Sequence, residues 1–281
     1  MALILISRGS FSGGQVIAEC LGKSAGITAV TREDLIASVN RHGEIANKVT
    51  ASIGKATQNY AEFSALRRPY QILMRLALLE YARAGPIAYF GYSGHLLLPE
   101  IDHAVRVRII APVYLRVKLM MSREKLTEEE ARDRIREYDE NRARWTRFMY
   151  GKTLRDPEQF DLCINLDRVS FSTACCMIQR LGEESDFKTT PESMVVVENH
   201  YLATRVMAAL LTDGRTYEME IGVTAQNGRV SLEGPYLEPS EQATVLEIAG
   251  AVPGVSDAQY VEGYAPPFGV LSLEAAGVHH E

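Results

Sequence analysis

The stretch Ala2-Leu-Ile-Leu-Ile-Ser-Arg-Gly-Ser-Phe-Ser-Gly-Gly-Gln-Val-Ile-Ala18 decides the fold. Ala2 to Ile6 is a short, continuous apolar run, the pattern of a strand buried on both faces. A glycine-rich turn follows, Arg8 to Gly14. Val16, Ile17, Cys20 and Leu21 then recur at helical spacing. A strand, a glycine-rich turn and a helix in this order can hold an anion. Backbone N–H groups at the helix N-terminus point at it, and the helix dipole favours it. Gly9 and Gly14 have the G-x-x-x-x-G spacing of a phosphate-binding loop, and Gly13-Gly14 lets backbone approach phosphate closely. The next two residues are Gln15 and Val16, where such a loop has Lys and Ser/Thr. Gln15 donates a hydrogen bond without charge, and Val16 cannot hold a metal ion.

Working outward, the first half alternates strands and helices. Strands are expected at Ile87–Phe90, Val105–Ile110 and Leu162–Ile164. Pro69 fits the first turn of a helix whose buried stripe is Leu73, Met74, Ala77, Leu78 and Tyr81, and Gly85-Pro86 ends it. Pro112 opens another helix. Thr127 with Glu130 makes a capping box for a long Arg-rich helix reaching about Phe148. Ser170 or Ser172 caps a helix that ends at Gly182. This order predicts an α/β fold, a parallel sheet flanked by helices.

The segment 183–193 is polar and aperiodic and reads as a linker between units able to move relative to each other. A helix at Val195–Leu211 follows. Tyr217-Glu-Met-Glu-Ile-Gly-Val223 and Val230-Ser-Leu-Glu233 then alternate polar and apolar residues around Asn227-Gly228, a tight-turn signal. A helix at Glu241–Ala249 and a strand at Val255–Val261 complete a small C-terminal α+β unit. Residues 265–281 read as a tail. The domains expected are thus 1–182, a linker 183–193, a module 194–264 and the tail.

At 281 residues the chain is long enough for two domains, and its 46% apolar and 23% charged composition is globular. No apolar run is long enough to cross a membrane, and no basic n-region opens the chain, so a cytoplasmic protein is expected. The four cysteines form no C-x-x-C pair and read as buried thiols in a reducing compartment. The histidines lack ligand spacing, so no metal site is expected. Residues 1–182 carry 26 Lys+Arg and 20 Asp+Glu, whereas residues 192–264 carry 3 and 11. The first half suits an anionic ligand. The second repels phosphate backbones and acidic lipid headgroups, so neither nucleic acid nor membrane is an expected partner. Eleven arginines lie between Arg106 and Arg155. Most face interleaved acids. Arg142, Arg144 and Arg147 are less compensated and are the better phosphate candidates.

The opening Ile6-Ser-Arg-Gly-Ser-Phe-Ser-Gly-Gly-Gln-Val-Ile-Ala18 resembles that of cytidylate kinase-like proteins. So do Thr31-Arg-Glu-Asp-Leu-Ile36, Val105-Arg-Val-Arg-Ile-Ile-Ala-Pro112, Asp139-Glu-Asn-Arg142 and Phe160-Asp-Leu-Cys-Ile-Asn165, in that order. The resemblance covers about residues 1–182. It implies a P-loop kinase fold that moves the γ-phosphoryl group of ATP, with Mg²⁺, to a nucleoside monophosphate. It implies that Arg8, Gly9, Ser10, Phe11, Ser12, Gly13, Gly14 and Gln15 cradle the donor phosphates and that Arg32 faces the acceptor. Arg142 and Arg144 would close on the transferring group from a lid, oriented by Asp139. The chain departs from the family pattern at Phe11, Gln15 and Tyr92, where glycine, a basic residue and arginine are usual. The alternative is therefore a catalytically degenerate nucleotide sensor or scaffold. Val195 to Tyr264, through Asn227-Gly-Arg-Val-Ser-Leu-Glu-Gly234 and Val252-Pro-Gly-Val255, resembles a BON module. That implies regulation, a homo-oligomer contact or binding of an unknown ligand.

Overall fold

A computed structural model describes residues 3–56, 63–91 and 93–263. Tyr92 and the tail 265–281 lie outside the described residues. Five parallel strands form the main sheet: β1 (Leu3–Arg8), β2 (Thr28–Thr31), β3 (Ile87–Gly91), β4 (Ala104–Ile110) and β5 (Leu162–Asn165), in the order β2-β3-β1-β4-β5. β1 is central because both its faces are apolar, and Leu3 to Ile6 are all buried. It pairs with β3 and β4 in a register that sets Ser7 opposite both Gly91 and Arg108. β1 leads to β2 on one side of the sheet and β3 leads to β4 on the other, a reversal of strand order of the kind that marks ligand sites at the C-terminal strand ends of open α/β sheets.

The helices are α1 (Gly14–Ala25), α2 (Arg32–Val39), α3 (Glu44–Ala56), α4 (Arg67–Ala84), the single turn α5 (Gly94–Leu97), α6 (Val113–Glu124), α7 (Glu128–Tyr150) and α8 (Phe171–Glu183). The capping box at Thr127 and Glu130 starts α7, and Ser170 caps α8. β2 escaped the sequence reading. It is an edge strand of four residues, and two of them are exposed, so it carries no apolar run.

α1 and α8 cover one sheet face through Ile17, Leu21, Ala174 and Ile178. There they bring Cys20 and Cys175 together as a disulfide, with Cα atoms 6.3 Å apart. This corrects the expectation of four buried thiols. Two cysteines are joined, and the free pair, Cys163 and Cys176, is exposed. A separation of 155 residues leaves no spacing signal to read.

The stretch expected as a linker holds the end of α8, a 3₁₀ turn at Ser185–Phe187 and the start of α9 (Pro191–Thr212). Thr190 and Ser193 form its capping box, so the Thr-Pro pair that resembles loop chemistry is a helix start. β6 (Gly222–Gln226) and β7 (Arg229–Gly234) form the hairpin, with Asn227 and Gly228 at φ 50° and 87°. α10 (Pro239–Gly250) follows, and β8 (Asp257–Glu262) adds parallel to β7.

Free movement of this unit is not what the packing gives. α9 lies along α4, and one apolar core runs from Leu73 and Leu76 through Val206 and Leu210 to Leu232 and Val245. Arg68 donates to the carbonyls of Met219 and Ile221 at 2.8 and 3.0 Å. Arg83 lies 3.9 Å over the Tyr201 ring and donates to Glu198. Buried Arg75 donates to Glu100 and meets His200.

The disulfide closes a long chain segment, so replacing Cys20 by Ala should lower stability by about 2–5 kcal/mol. Denaturation of both proteins with and without a dithiol reductant checks this. The reductant should destabilise the wild type and leave the variant unchanged.

Candidate functional site

The loop between β1 and α1 is built mostly by its own backbone. The Gly9 N–H donates to the Ile109 carbonyl at 3.2 Å, which ties the loop to β4. The Ser12 hydroxyl donates to the Gly9 carbonyl at 2.9 Å, and the Ser12 N–H reaches the same oxygen. Gly13, the N-cap of α1, has φ 76°, and a Cβ there would sit 2.1 Å from the Phe171 ring. Only glycine fits. No side chain caps α1 and no acid stands in its first turn, so its first amides face outward with an uncompensated positive pole. That is what an anion site requires.

Phe11 also sits in the left-handed region, at φ 55°. A residue with a Cβ holds that conformation at about 1–2 kcal/mol, so surrounding contacts must maintain it.

Arginines converge on this loop from three elements. On α6, Arg116 is 7% exposed. Its Nε donates to the Ser10 carbonyl at 2.6 Å, and its two terminal nitrogens grip Asp139 of α7 at 2.8 and 2.7 Å. On α7, Arg142 is 8% exposed and donates to the Arg8 carbonyl. On β4, Arg108 donates to Ser7 at 2.9 Å. Burial, then the nearby Arg142, pulls the Arg108 pKa down to about 10, with Arg116 acting the same way. Asp139 is the carboxylate that offsets this group. Such a cluster is unfavourable alone and becomes favourable when an anion enters.

The expected residues therefore divide. Arg8, Gly9, Ser10, Phe11, Ser12, Gly13 and Gly14 form the cradle, and Arg142 and Asp139 stand against it. Asp139 orients Arg116, however, and not the arginines of its own helix. Gln15 turns along α1 and donates to Glu19 at 3.0 Å in an exposed pair. Arg144 is exposed and bonds Asn141 at 2.7 Å, away from the loop. Arg32 opens α2, near Tyr150 at the end of α7. Arg108 and Arg116 were missed as individuals. Arg108 follows from strand alternation at the C-terminal end of β4. Arg116 needs the crossing of α6 and α7, which no local pattern reveals.

Among the described residues no group of three His, Cys, Asp or Glu side chains could hold a metal ion. The donors fit phosphate oxygens, which need N–H groups and guanidinium. With Val16 in place of the loop hydroxyl, Mg²⁺ would have to be held by phosphates and water.

Beneath the site, His95 is 3% exposed and its ring lies 4.5 Å from that of Phe160. Burial, then Arg108 and Arg106, pulls its pKa down to about 3. The folded ring is thus neutral across the range where the unfolded ring, near 6.5, gains a proton. Stability should fall as pH drops from 6.5 toward 3, by up to about 1.4 kcal/mol per pH unit for this group. His95→Phe, which keeps the ring contact, should flatten that decline in urea denaturation at pH 7 and pH 5. His103 and His200 are shifted the same way and keep part of it.

The chain is 29% identical over 170 residues to a cytidylate kinase of Ignicoccus hospitalis, which spans 59% of this chain and 90% of that protein. Among solved structures, an uncharacterized protein from Eubacterium ventriosum matches with a TM-score of 0.49, at 18% identity, over 66% of this chain and 99% of its own. A shikimate kinase from Bacteroides thetaiotaomicron matches at 0.40 and 13% identity, over 65% of this chain and 99% of its own. The sequence model of the cytidylate kinase-like family matches residues 3–168. That span holds all five strands of the parallel sheet, the loop and the converging arginines, and the chain belongs to this family.

Proposed function

We propose that the protein is an ATP-dependent kinase of a nucleoside monophosphate, with CMP the first acceptor to test. The observation that carries this reading is the convergence of Arg108, Arg116 and Arg142 on a glycine-rich loop, with Asp139 paired to Arg116. Phosphoryl transfer asks little of a protein beyond positioning and charge stabilisation, and arginines supply both. The outward amides of α1 would hold the donor phosphates. Arg142, now on the Arg8 carbonyl, would exchange that partner for a phosphate oxygen. Arg108, at the end of β4, would face the transferring group from the sheet. Arg32 would receive the acceptor monophosphate. ATP with bound Mg²⁺ would bring the leaving group and shield its charge.

A second reading is favoured by one observation. The side chain that follows the loop glycines, Gln15, is neutral and engaged with Glu19. In this reading the domain is a catalytically degenerate sensor or scaffold.

The C-terminal module, residues 194–264, we read as BON-like and regulatory. Its αββαβ order from α9 to β8 supports this. So does a cavity of about 760 Å³ lined by Ile45 and Lys48 of α3 and by Arg215, Tyr217 and Met219 of the module. A ligand there would touch both the acceptor-side helices and the module.

Calorimetric titration of ATP–Mg²⁺ at low salt should give a Kd below about 100 μM, or −5.5 kcal/mol. A screen of monophosphates should give turnover, with Arg142→Ala at least about 100-fold slower. Gln15→Lys should tighten ATP binding. No heat and no turnover from either the wild type or Gln15→Lys would sink the kinase and leave the scaffold.

A further inference from the structure

We propose that Phe11 is a positioning residue, the apolar latch that makes the phosphate loop and the α6–α7 hairpin move as one body. The inference rests on the kinase reading for its consequence, but not for its geometry.

The hairpin has its own small core of Val117, Met120, Ala131 and Ile135, separate from the two cores that bury the sheet. Met121 and Leu126, both of the hairpin, pack against it. Phe11 does too, and among the described residues it is the apolar contributor from outside the hairpin. Its ring also lies near parallel to that of Tyr138 on α7, with centroids 6.5 Å apart and planes at 16°. The left-handed backbone at Phe11 is what aims the side chain out of the loop and into this cluster. A glycine would adopt the same backbone without strain, but would leave the hairpin's core short of a ring. The strain is therefore tolerated for a contact, the pattern expected where a loop's shape depends on a second body.

Two polar ties run parallel to this latch. Arg116 reaches the Ser10 carbonyl and Arg142 the Arg8 carbonyl, on either side of the loop's first residues. The hairpin thus holds residues 8, 10 and 11 at once. Swinging it away would pull Phe11 from the cluster and free the loop. Nucleotide that orders the loop would, by the same contacts, order the hairpin and set Arg142 over the phosphates.

Amide hydrogen exchange without nucleotide tests the latch in the full chain. Phe11→Gly removes both ring and strain, Phe11→Ala removes the ring and keeps the strain, and Phe11→Leu restores an apolar side chain. Exchange in both 8–14 and 113–140 should rise at least about tenfold in Phe11→Gly and Phe11→Ala, and return toward wild type in Phe11→Leu. Tyr138→Ala should loosen the loop from the hairpin's side. Where the wild type turns over, Phe11→Gly should lower kcat about tenfold or more with a smaller change in KM for ATP. Loosening of the loop alone, with the hairpin as protected as in the wild type, would overturn the proposal. So would a Phe11→Gly protein more protected than the wild type in both segments. A wild type with no turnover would remove the kinase reading, and the exchange data would still decide the latch.

Discussion

The fork of Arg116 is the interaction on which the site depends. One nearly buried guanidinium spends three N–H groups at once, one on the Ser10 carbonyl and two on Asp139. A buried charge is tolerable only when its donors are satisfied and a counter-charge is near. The fork meets both demands by joining three elements: the loop, α6 and α7. Its planar head also lies beside Gly9, where a Cβ would be 3.7 Å from the guanidinium carbon. Lys could not replace it, because an ammonium lacks the fixed fork that serves a carbonyl and a carboxylate together. Remove Asp139 and the charge is stranded; remove Arg116 and α7 keeps only Arg142 as its polar tie to the loop. The placing of Arg142 on the same helix depends on the tie through Arg116.

The second constraint is the union of the kinase fold with its C-terminal module. α4 is covered nearly all round, with Tyr70 to Leu79 buried without a break, Gln71 and Arg75 among them. Such a helix needs cover on every side. The sheet covers one side and α9 another, and the polar edge is closed by arginines that reach across to the module's carbonyls and acids. The module therefore completes the core of the kinase fold. The module and the kinase fold thus share α4 as a common wall.

The parts of the sequence that were legible were those encoded locally. β1, its glycine turn and α1 follow from an apolar run, two glycines and a helical stripe. The Thr127 box and the Asn227-Gly228 turn follow from single residues with one physical role each. The parts that were not legible arise from chain crossing. Arg116 lies 23 residues before Asp139, at a spacing no helix repeats, and becomes readable only when α6 folds back on α7. Cys20 and Cys175 look like core thiols until two helices share a sheet face. Thr190-Pro191 looked like a linker because the same residues that stop one element start the next. Arg132 and Arg136, on the stripe that drew attention to Arg142, meet Glu128 and Asp133 on their own helix. The stripe is two solvated pairs followed by Asp139, which holds Arg116, and Arg142, which reaches the Arg8 carbonyl, and periodicity alone does not divide it.

These observations bear on how a loop without its lysine could still bind phosphate. A loop lysine would be a resident charge, in place whatever the rest of the molecule does. Here the charges belong to β4, α6 and α7. Arg108 belongs to β4, a strand paired on both sides, but Arg116 and Arg142 arrive on a hairpin with a small core of its own. The field at the loop then depends on where the hairpin stands. Three guanidinium groups stand around one loop, and burial first, then the like charge of Arg142 and Arg116, lowers the pKa of Arg108. Asp139 offsets part of it, and an anion at the loop would offset more. If an anion binds here, its affinity would be coupled to the place of the hairpin, because a ligand shifts an equilibrium by as much as its affinity differs between the two states.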